Sequence, residues 1–357
     1  MKGVTNMKVV KEEFGTKDNQ TVFLFSLIND HGVEVGCLNY GCIITKIITP
    51  DQDGHYENVV VGYDTFKEYE NDSYFLGAVI GRVAGRIKAG SFEFNGKQYS
   101  LAKNERHNHL HGGNKGFNQI IWNAEVFENK QEIGVHFSYV SPDGEEGYPG
   151  NLKVDVTYTL NNKNELSIRY SGVSDKTTLL NMTNHSYFNL SGNLKRDILH
   201  HSLLIKSDQF LELNEELLPT GKMLDVTGTA FDFTSERFIQ SGVVSEHPQN
   251  KLAGEGYDHP FLLHTLHDQE IVLKDSESGR ILTIETDEVA VVVYSGNQMK
   301  SELELAGGVP SRKYMGICLE TQGLPDAIHH PLFPSWILEK EKEYSSTTTY
   351  KFGILTK

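Results

Sequence analysis

VDVTYTLNNKNELSIRY, residues 154–170, decides the fold class. Val154, Val156, Tyr158 and Leu160 alternate with polar residues. Leu166, Ile168 and Tyr170 do the same after the turn-like Asn161-Asn162-Lys163-Asn164. A period of two puts all the apolar side chains of a strand on one face. Two such runs about a short polar turn predict an antiparallel hairpin with one face in a core.

The pattern extends outward in both directions. Turn pairs punctuate the chain at Asp53-Gly54, Asn95-Gly96, Asp143-Gly144 and Ser278-Gly279. The last segment, with Tyr344, Thr347, Thr348, Thr349, Tyr350 and Phe352, is rich in strand formers. Only 64–71 reads as a helix, with Asp64 as its cap and Phe66 and Tyr69 turned inward. No long segment has a 3.6-residue period and no βαβ alternation occurs, which argues against a parallel doubly wound sheet. There is no linker, low-complexity run or repeat. The expectation is an all-β chain forming one large antiparallel β-sandwich domain over 1–357, with function on long loops.

Composition narrows the function. The chain has 357 residues, long for one domain yet within reach of a large sandwich. Its 33 basic and 48 acidic residues leave a net charge of −15, which repels nucleic acid and anionic lipid and disfavours a highly phosphorylated substrate. Cys37, Cys42 and Cys318 form no CxxC pair and fit a reduced, cytoplasmic setting. The opening MKGVTNMKVVKEEFG has no apolar core, so no signal peptide is expected. No run of 18 apolar residues occurs, so no membrane-spanning helix is expected. Monomer and homodimer both stay open.

Five stretches could carry chemistry. Gly81-Arg82-Val83-Ala84-Gly85-Arg86 lacks the lysine of a P-loop and the full dinucleotide fingerprint. It reads as a tight loop with two surface arginines, or as an arginine that donates to ligand hydroxyls. In His107-Asn108-His109-Leu110-His111-Gly112-Gly113, a strand would put the three histidines on one face. Three alternating histidines suit a zinc tetrahedron poorly, and the Gly-Gly pair makes His111 the best placed of them for a ligand. Thr183-Asn184-His185-Ser186-Tyr187-Phe188-Asn189-Leu190 crowds polar groups into what reads as buried strand. Alone, His185 is more often a hydrogen-bonded core residue than a catalyst. Asp258, in Tyr257-Asp258-His259-Pro260-Phe261, reads first as a turn former. Glu320 ends the apolar run Gly316-Ile317-Cys318-Leu319. Partial desolvation there raises a carboxyl pKa and makes a better base, but a salt-bridged structural acid is an equal reading.

Order and spacing add what no single stretch supplies. GRVAGRI at 81–87, NHLHGG at 108–113, TNHSYFNL at 183–190, YDHPF at 257–261, YSGN at 294–297 and CLETQGLPDAIHHPLFPS at 318–335 together resemble the aldose 1-epimerase (galactose mutarotase) family over nearly the whole chain. The resemblance implies a large antiparallel β-sandwich with a sugar site in an open cleft. It implies interconversion of the α and β anomers of free aldoses with no metal and no other cofactor. Glu320 then corresponds to the general base and His185 to the general acid, while Arg86, His111 and Asp258 correspond to residues that hold the sugar. Arg86 matches better than Arg82 because it lies 25 residues before His111, the family spacing. Two positions depart from the pattern: Gly85 stands where many relatives have Asn, and Val292 where some have Gln.

Other readings compete. A glycoside hydrolase would pair Glu320 with Asp258 across a glycosidic bond. A sugar-binding protein without chemistry could use the same fold. A sugar-phosphate epimerase would need a basic cluster, for which Arg82, Arg86 and Lys88 are the local candidates. Tyr187, Phe188 or Trp336 could supply an aromatic platform for the sugar.

Overall fold

The computed structural model describes residues 7–264 and 267–355. The start of the chain, residues 1–6 of the stretch read above for a leader, lies outside the described residues. Three antiparallel sheets carry the fold. A nine-stranded sheet runs in the order Asn123–Glu128, Glu132–Ser141, Leu152–Asn161, Glu165–Ser174, Glu343–Ile354, Arg280–Thr286, Ile271–Lys274, Ser202–Ile205, Arg237–Phe238. A six-stranded sheet runs Tyr187–Phe188, Ile317–Gln322, Ala290–Tyr294, Asp258–Leu262, Gln209–Leu213, Pro219–Asp225. A five-stranded sheet takes the strands from Lys8–Lys17 to Tyr56–Asn58 in sequence order.

The hairpin at 154–170 forms as expected. Leu160 pairs with Leu166 across the Asn161–Asn164 turn, and Val156 with Tyr170. Val154, Val156, Tyr158, Leu160, Leu166, Ile168 and Tyr170 are all buried. They join one apolar cluster with Phe25, Leu27 and Val35 of the five-stranded sheet and Val291, Val293, Ile317 and Leu319 of the six-stranded sheet. Each such aliphatic side chain contributes roughly 1.5–3 kcal/mol by leaving water. Tyr158 also ties this sheet to a loop: its hydroxyl donates to Cys42 O at 2.7 Å and accepts from Asn184 Nδ2 at 3.4 Å.

The six-stranded sheet is covered on both sides, which explains runs such as AVVVY at 290–294. On Ile317–Gln322, Ile317 and Leu319 enter the core, while Glu320 and Gln322 line a cavity on the other face. On Ala290–Tyr294, Val291 and Val293 enter the core, while Val292 and Tyr294 face the cavity.

Several expectations need correction. The helix is shorter, Phe66–Glu70, and its cap is Thr65, not Asp64. Thr65 N–H donates to the Glu68 carboxylate at 2.9 Å, while Asp64 accepts from Gly307 N–H. Phe66 and Tyr69 do point inward. TNHSYFNL is not one strand. It splits into the two-residue pieces Thr183–Asn184 and Tyr187–Phe188, which pair with different partners, and His185 lies between them. The three histidines at 107–111 do not share a face. Only His109–Leu110 is strand, and His109 is held in the interior by Ala102 O and Tyr148 OH, each at 2.7 Å.

Arg82 is structural, but it is buried rather than a surface residue. Its guanidinium donates to the carbonyls of Ser141, Pro142, Pro149 and Gly150 and to the hydroxyls of Ser141 and Thr178. A planar fork is needed to reach so many acceptors; a lysine ammonium cannot span them. Arg82→Lys is therefore expected to strand buried carbonyls and destabilise the fold by about 3 kcal/mol. Urea unfolding of wild type and variant measures this, and an unchanged midpoint would remove Arg82 from the role of tie.

Candidate active site

A cavity of about 380 Å³ opens on the face of the six-stranded sheet turned away from the core cluster. All five residues singled out in the sequence, Arg86, His111, His185, Asp258 and Glu320, line it. Strand register sets two of them. Val292 lies directly opposite Glu320, and Pro260 opposite Val292, so these three form one row across the sheet. Asp258 pairs with Tyr294, Tyr294 with Cys318, and Cys318 with Tyr187, which forms the neighbouring row.

Loops bring the other three. Arg86 pairs with Leu110, and Ile87 with His109. His111 follows and closes on Gly85 twice: its N–H donates to Gly85 O, and Gly85 N–H donates to its Nδ1 at 3.1 Å. Gly112 must be glycine, because its φ is +87° and a Cβ there would sit 1.8 Å from Gly81 O. His185 is held by its own N–H, which donates to Ala78 O at 2.8 Å, and by Gly77 N–H, which donates to its carbonyl. The preceding Asn184 donates to Gly77 O and to the Tyr158 hydroxyl, so the hairpin that defines the fold also braces this loop.

The centre of the site is a pair. His185 Nε2 lies 3.6 Å from Glu320 Oε1, and the two residues are 5 % and 3 % exposed. Burial pushes the Glu320 carboxyl well up, the Asp258 charge adds to the rise, and Arg86 opposes it. Burial pulls His185 down to about 4. Asp258 is also raised, again by burial first. Burial holds His111 well below the usual imidazole range, helped by the charges of His185 and Arg86. So burial leaves the titratable proton of the pair on Glu320 rather than on His185.

Tautomers follow from the partners. Gly85 N–H donates to His111 Nδ1, so the neutral ring carries its proton on Nε2. That makes Nε2 a donor for an oxygen, not a metal ligand. His111, His185 and Glu320 approach one another closely enough to hold an ion, but this hydrogen bond fits a hydroxyl better. His185 Nδ1 faces Cys318 Sγ at 3.5 Å. Burial raises the Cys318 thiol, so it stays protonated beside this ring.

Some functional neighbours were not legible in the sequence. Glu105 clamps Arg86, accepting from Nε at 3.3 Å and from a terminal nitrogen at 3.2 Å. This leaves the other terminal nitrogen of Arg86 free for a ligand. Phe75 packs edge-on against His111, with ring centroids 4.9 Å apart, and lies 5.9 Å from His185. Of the three rings named as a platform, only Tyr187 lines the cavity. Phe188 packs against Tyr350, and Trp336 donates to Leu324 O. Tyr74, Phe75 and Tyr294 supply the remaining aromatic wall. The two departures are on the wall as well: Gly85 and Val292 both line the cavity and offer it no polar side chain.

Known proteins match this chain along almost its full length. The family model described as Aldose 1-epimerase covers residues 24–351. Galactose mutarotase of Bos taurus is 40% identical over 336 residues, spanning 94% of this chain and 95% of its own. Aldose 1-epimerase of Escherichia coli K12 is 35% identical over 346 residues, spanning 94% and 96%. The crystal structure of galactose 1-epimerase from Lactobacillus acidophilus superposes with a TM-score of 0.88 at 31% identity, covering 98% of this chain and all of that one. The chain shares its overall fold with the Lactobacillus acidophilus structure, and it belongs to the aldose 1-epimerase family.

Proposed function

We propose that this chain is a mutarotase that interconverts the α and β anomers of free aldoses such as galactose and glucose, with Glu320 and His185 as its acid–base pair. The observation that carries the proposal is the 3.6 Å approach of a buried imidazole to a buried carboxylate at the floor of a cavity lined by hydrogen-bonding side chains. Ring opening needs the C1 hydroxyl proton removed and the ring oxygen protonated. Glu320 takes the first proton and His185 supplies the second; on reclosure they exchange roles. The pair begins and ends with the same single proton, so no outside acid is consumed. Burial favours the neutral arrangement of the empty pair, with the proton on Glu320. A bound sugar hydroxyl donating to Glu320 favours its carboxylate and moves the proton to His185, which readies both groups.

Arg86, His111 and Asp258 hold the sugar. Arg86 and His111 Nε2 donate, and Asp258 accepts. Tyr187, Tyr294 and Phe75 present apolar surface to the faces of the ring. A glycoside hydrolase built on Asp258 and Glu320 would leave His185 without a task. No helix among the described residues is long and apolar enough to cross a membrane. The three cysteines are free, which supports a reducing, cytoplasmic setting. The chain acts as a monomer or homodimer on small sugars, and its charge of −15 turns nucleic acid away.

Polarimetry on freshly dissolved α-galactose and α-glucose tests the reading. The wild-type protein is expected to speed the approach to anomeric equilibrium, with and without chelator, and to release no aglycone from aryl glycosides. No acceleration over buffer would leave a sugar-binding protein instead. Glu320→Gln and His185→Asn are each expected to lower kcat by about 10²–10⁴-fold, while calorimetry still detects galactose binding. Near-full activity in Glu320→Gln would overturn the mechanism.

The pH profile carries a separate expectation. Lowering pH adds a second proton to the pair, and it must go onto His185, whose pKa is pulled down to about 4. With both members protonated no base remains. So kcat/KM should hold as pH falls through the ordinary imidazole range and then drop near pH 4. An acid limb centred near 6.5, the ordinary imidazole value, would contradict the assignment.

A further inference from the structure

Gln322 is buried at 1 % exposure and lines the same cavity, yet neither the sequence reading nor the acid–base scheme gives it a task. It stands two residues after Glu320 on the strand Ile317–Gln322, so its side chain leaves the sheet on the same face. Its amide nitrogen donates to Gly323 O at 3.2 Å. That bond fixes the orientation of the amide, because a flipped group would set oxygen against oxygen. Its Oε1 then has no donor from any described residue, although it is fully enclosed. A buried carbonyl without a donor is costly, and on a residue that lines a cavity it asks for a ligand that brings one.

The neighbouring wall sharpens this. Gly85 lies beside Gln322, with the place of a Cβ on Gly85 only 3.8 Å from Gln322 Nε2. That residue has φ +76°, and a side chain there would meet Pro325 at 3.0 Å. Directly across from Glu320 stands Val292, and across from Gln322 stands Ala290. Neither Gly85 nor Val292 nor Ala290 can donate or accept through a side chain. On this part of the wall Gln322 offers a polyhydroxylated ligand a side-chain acceptor in addition to Glu320.

We propose that Gln322 is a further substrate-binding residue whose Oε1 accepts a hydrogen bond from a ring or exocyclic hydroxyl of the aldose, and that it helps to set sugar preference. The proposal rests on the mutarotase reading and deepens it. The contact is one neutral hydrogen bond, so its loss should weaken binding roughly three- to tenfold. Gln322 does not support the fold through its Nε2, because Gly323 O also accepts from Asn181 Nδ2. Its replacement by an apolar side chain of like shape should therefore leave thermal stability in place.

A protein–substrate cycle tests it. KM and kcat are measured by polarimetry for galactose and for its 2-, 3-, 4- and 6-deoxy forms, on wild type and on Gln322→Met. In wild type, one deoxy sugar should show a KM raised roughly three- to tenfold through loss of this contact. In Gln322→Met, galactose itself should show that rise, kcat should change little, and the same deoxy sugar should add no further loss. If Gln322→Met does not fold, Gln322→Leu takes its place in the same cycle. Calorimetric affinity for galactose on both proteins reads it without turnover, so failure of the mutarotase reading stays distinguishable. Equal affinity in the two proteins would overturn the proposal. So would a variant whose penalty is the same for galactose and every deoxy form, or one that loses stability while keeping KM.

Discussion

Burial of Glu320 near a cation that it shares with Asp258 is the constraint on which the site depends. A carboxylate taken out of water needs compensation from charge or hydrogen bonds, or it takes up a proton. Here Arg86 is the cation that lowers both Glu320 and Asp258. It cannot fully satisfy either, because Glu105 already occupies two of its nitrogens. The result is a carboxyl kept basic and a neighbouring imidazole kept hard to protonate. Pairs whose environments push their proton affinities in opposite directions are the ones suited to divide acid and base work.

That arrangement demands a rigid frame, since a small displacement would separate the pair from a bound sugar. The frame is visible at three places. Arg82 ties the segment 141–150 to the start of the loop that carries Arg86. Tyr158 and Asn184 tie the central hairpin to the loop that carries His185. Gly85 and His111 lock each other by a reciprocal pair of hydrogen bonds. Backbone strain gathers nearby. Phe75 has φ +58° and His111 has φ +50°, in a region that non-glycine residues seldom enter. Such residues persist where surrounding contacts over-determine them, and both of these touch the cavity.

Reading the chain in one dimension worked where the physics is local. Alternation at 154–170 reports which residues face the core, because the strand period is fixed by backbone geometry. The same rule separates Ile317 and Leu319 from Glu320. It failed where a residue's partner lies far away. Thr65 displaced Asp64 as the helix cap because Asp64 is drawn to Gly307, 243 positions on. Arg82 reads as surface until the segment 141–150 closes over it. Trp336 reads as a sugar platform until its indole is found donating to Leu324 O.

The sequence by itself determined the sheet-forming alternation, the turns and, through the order of its motifs, the five residues that meet in the cavity. Those properties rest on short-range backbone preference and on residue identity, both of which a string of letters carries. Tertiary structure alone decided the rest. Loop closure brought His185 to 3.6 Å from Glu320 and put Glu105 against Arg86. It also enclosed Gln322 Oε1 with no donor among the described residues. Dielectric, charge balance and hydrogen-bond satisfaction are properties of what surrounds a side chain. Those surroundings exist only once distant segments have packed together.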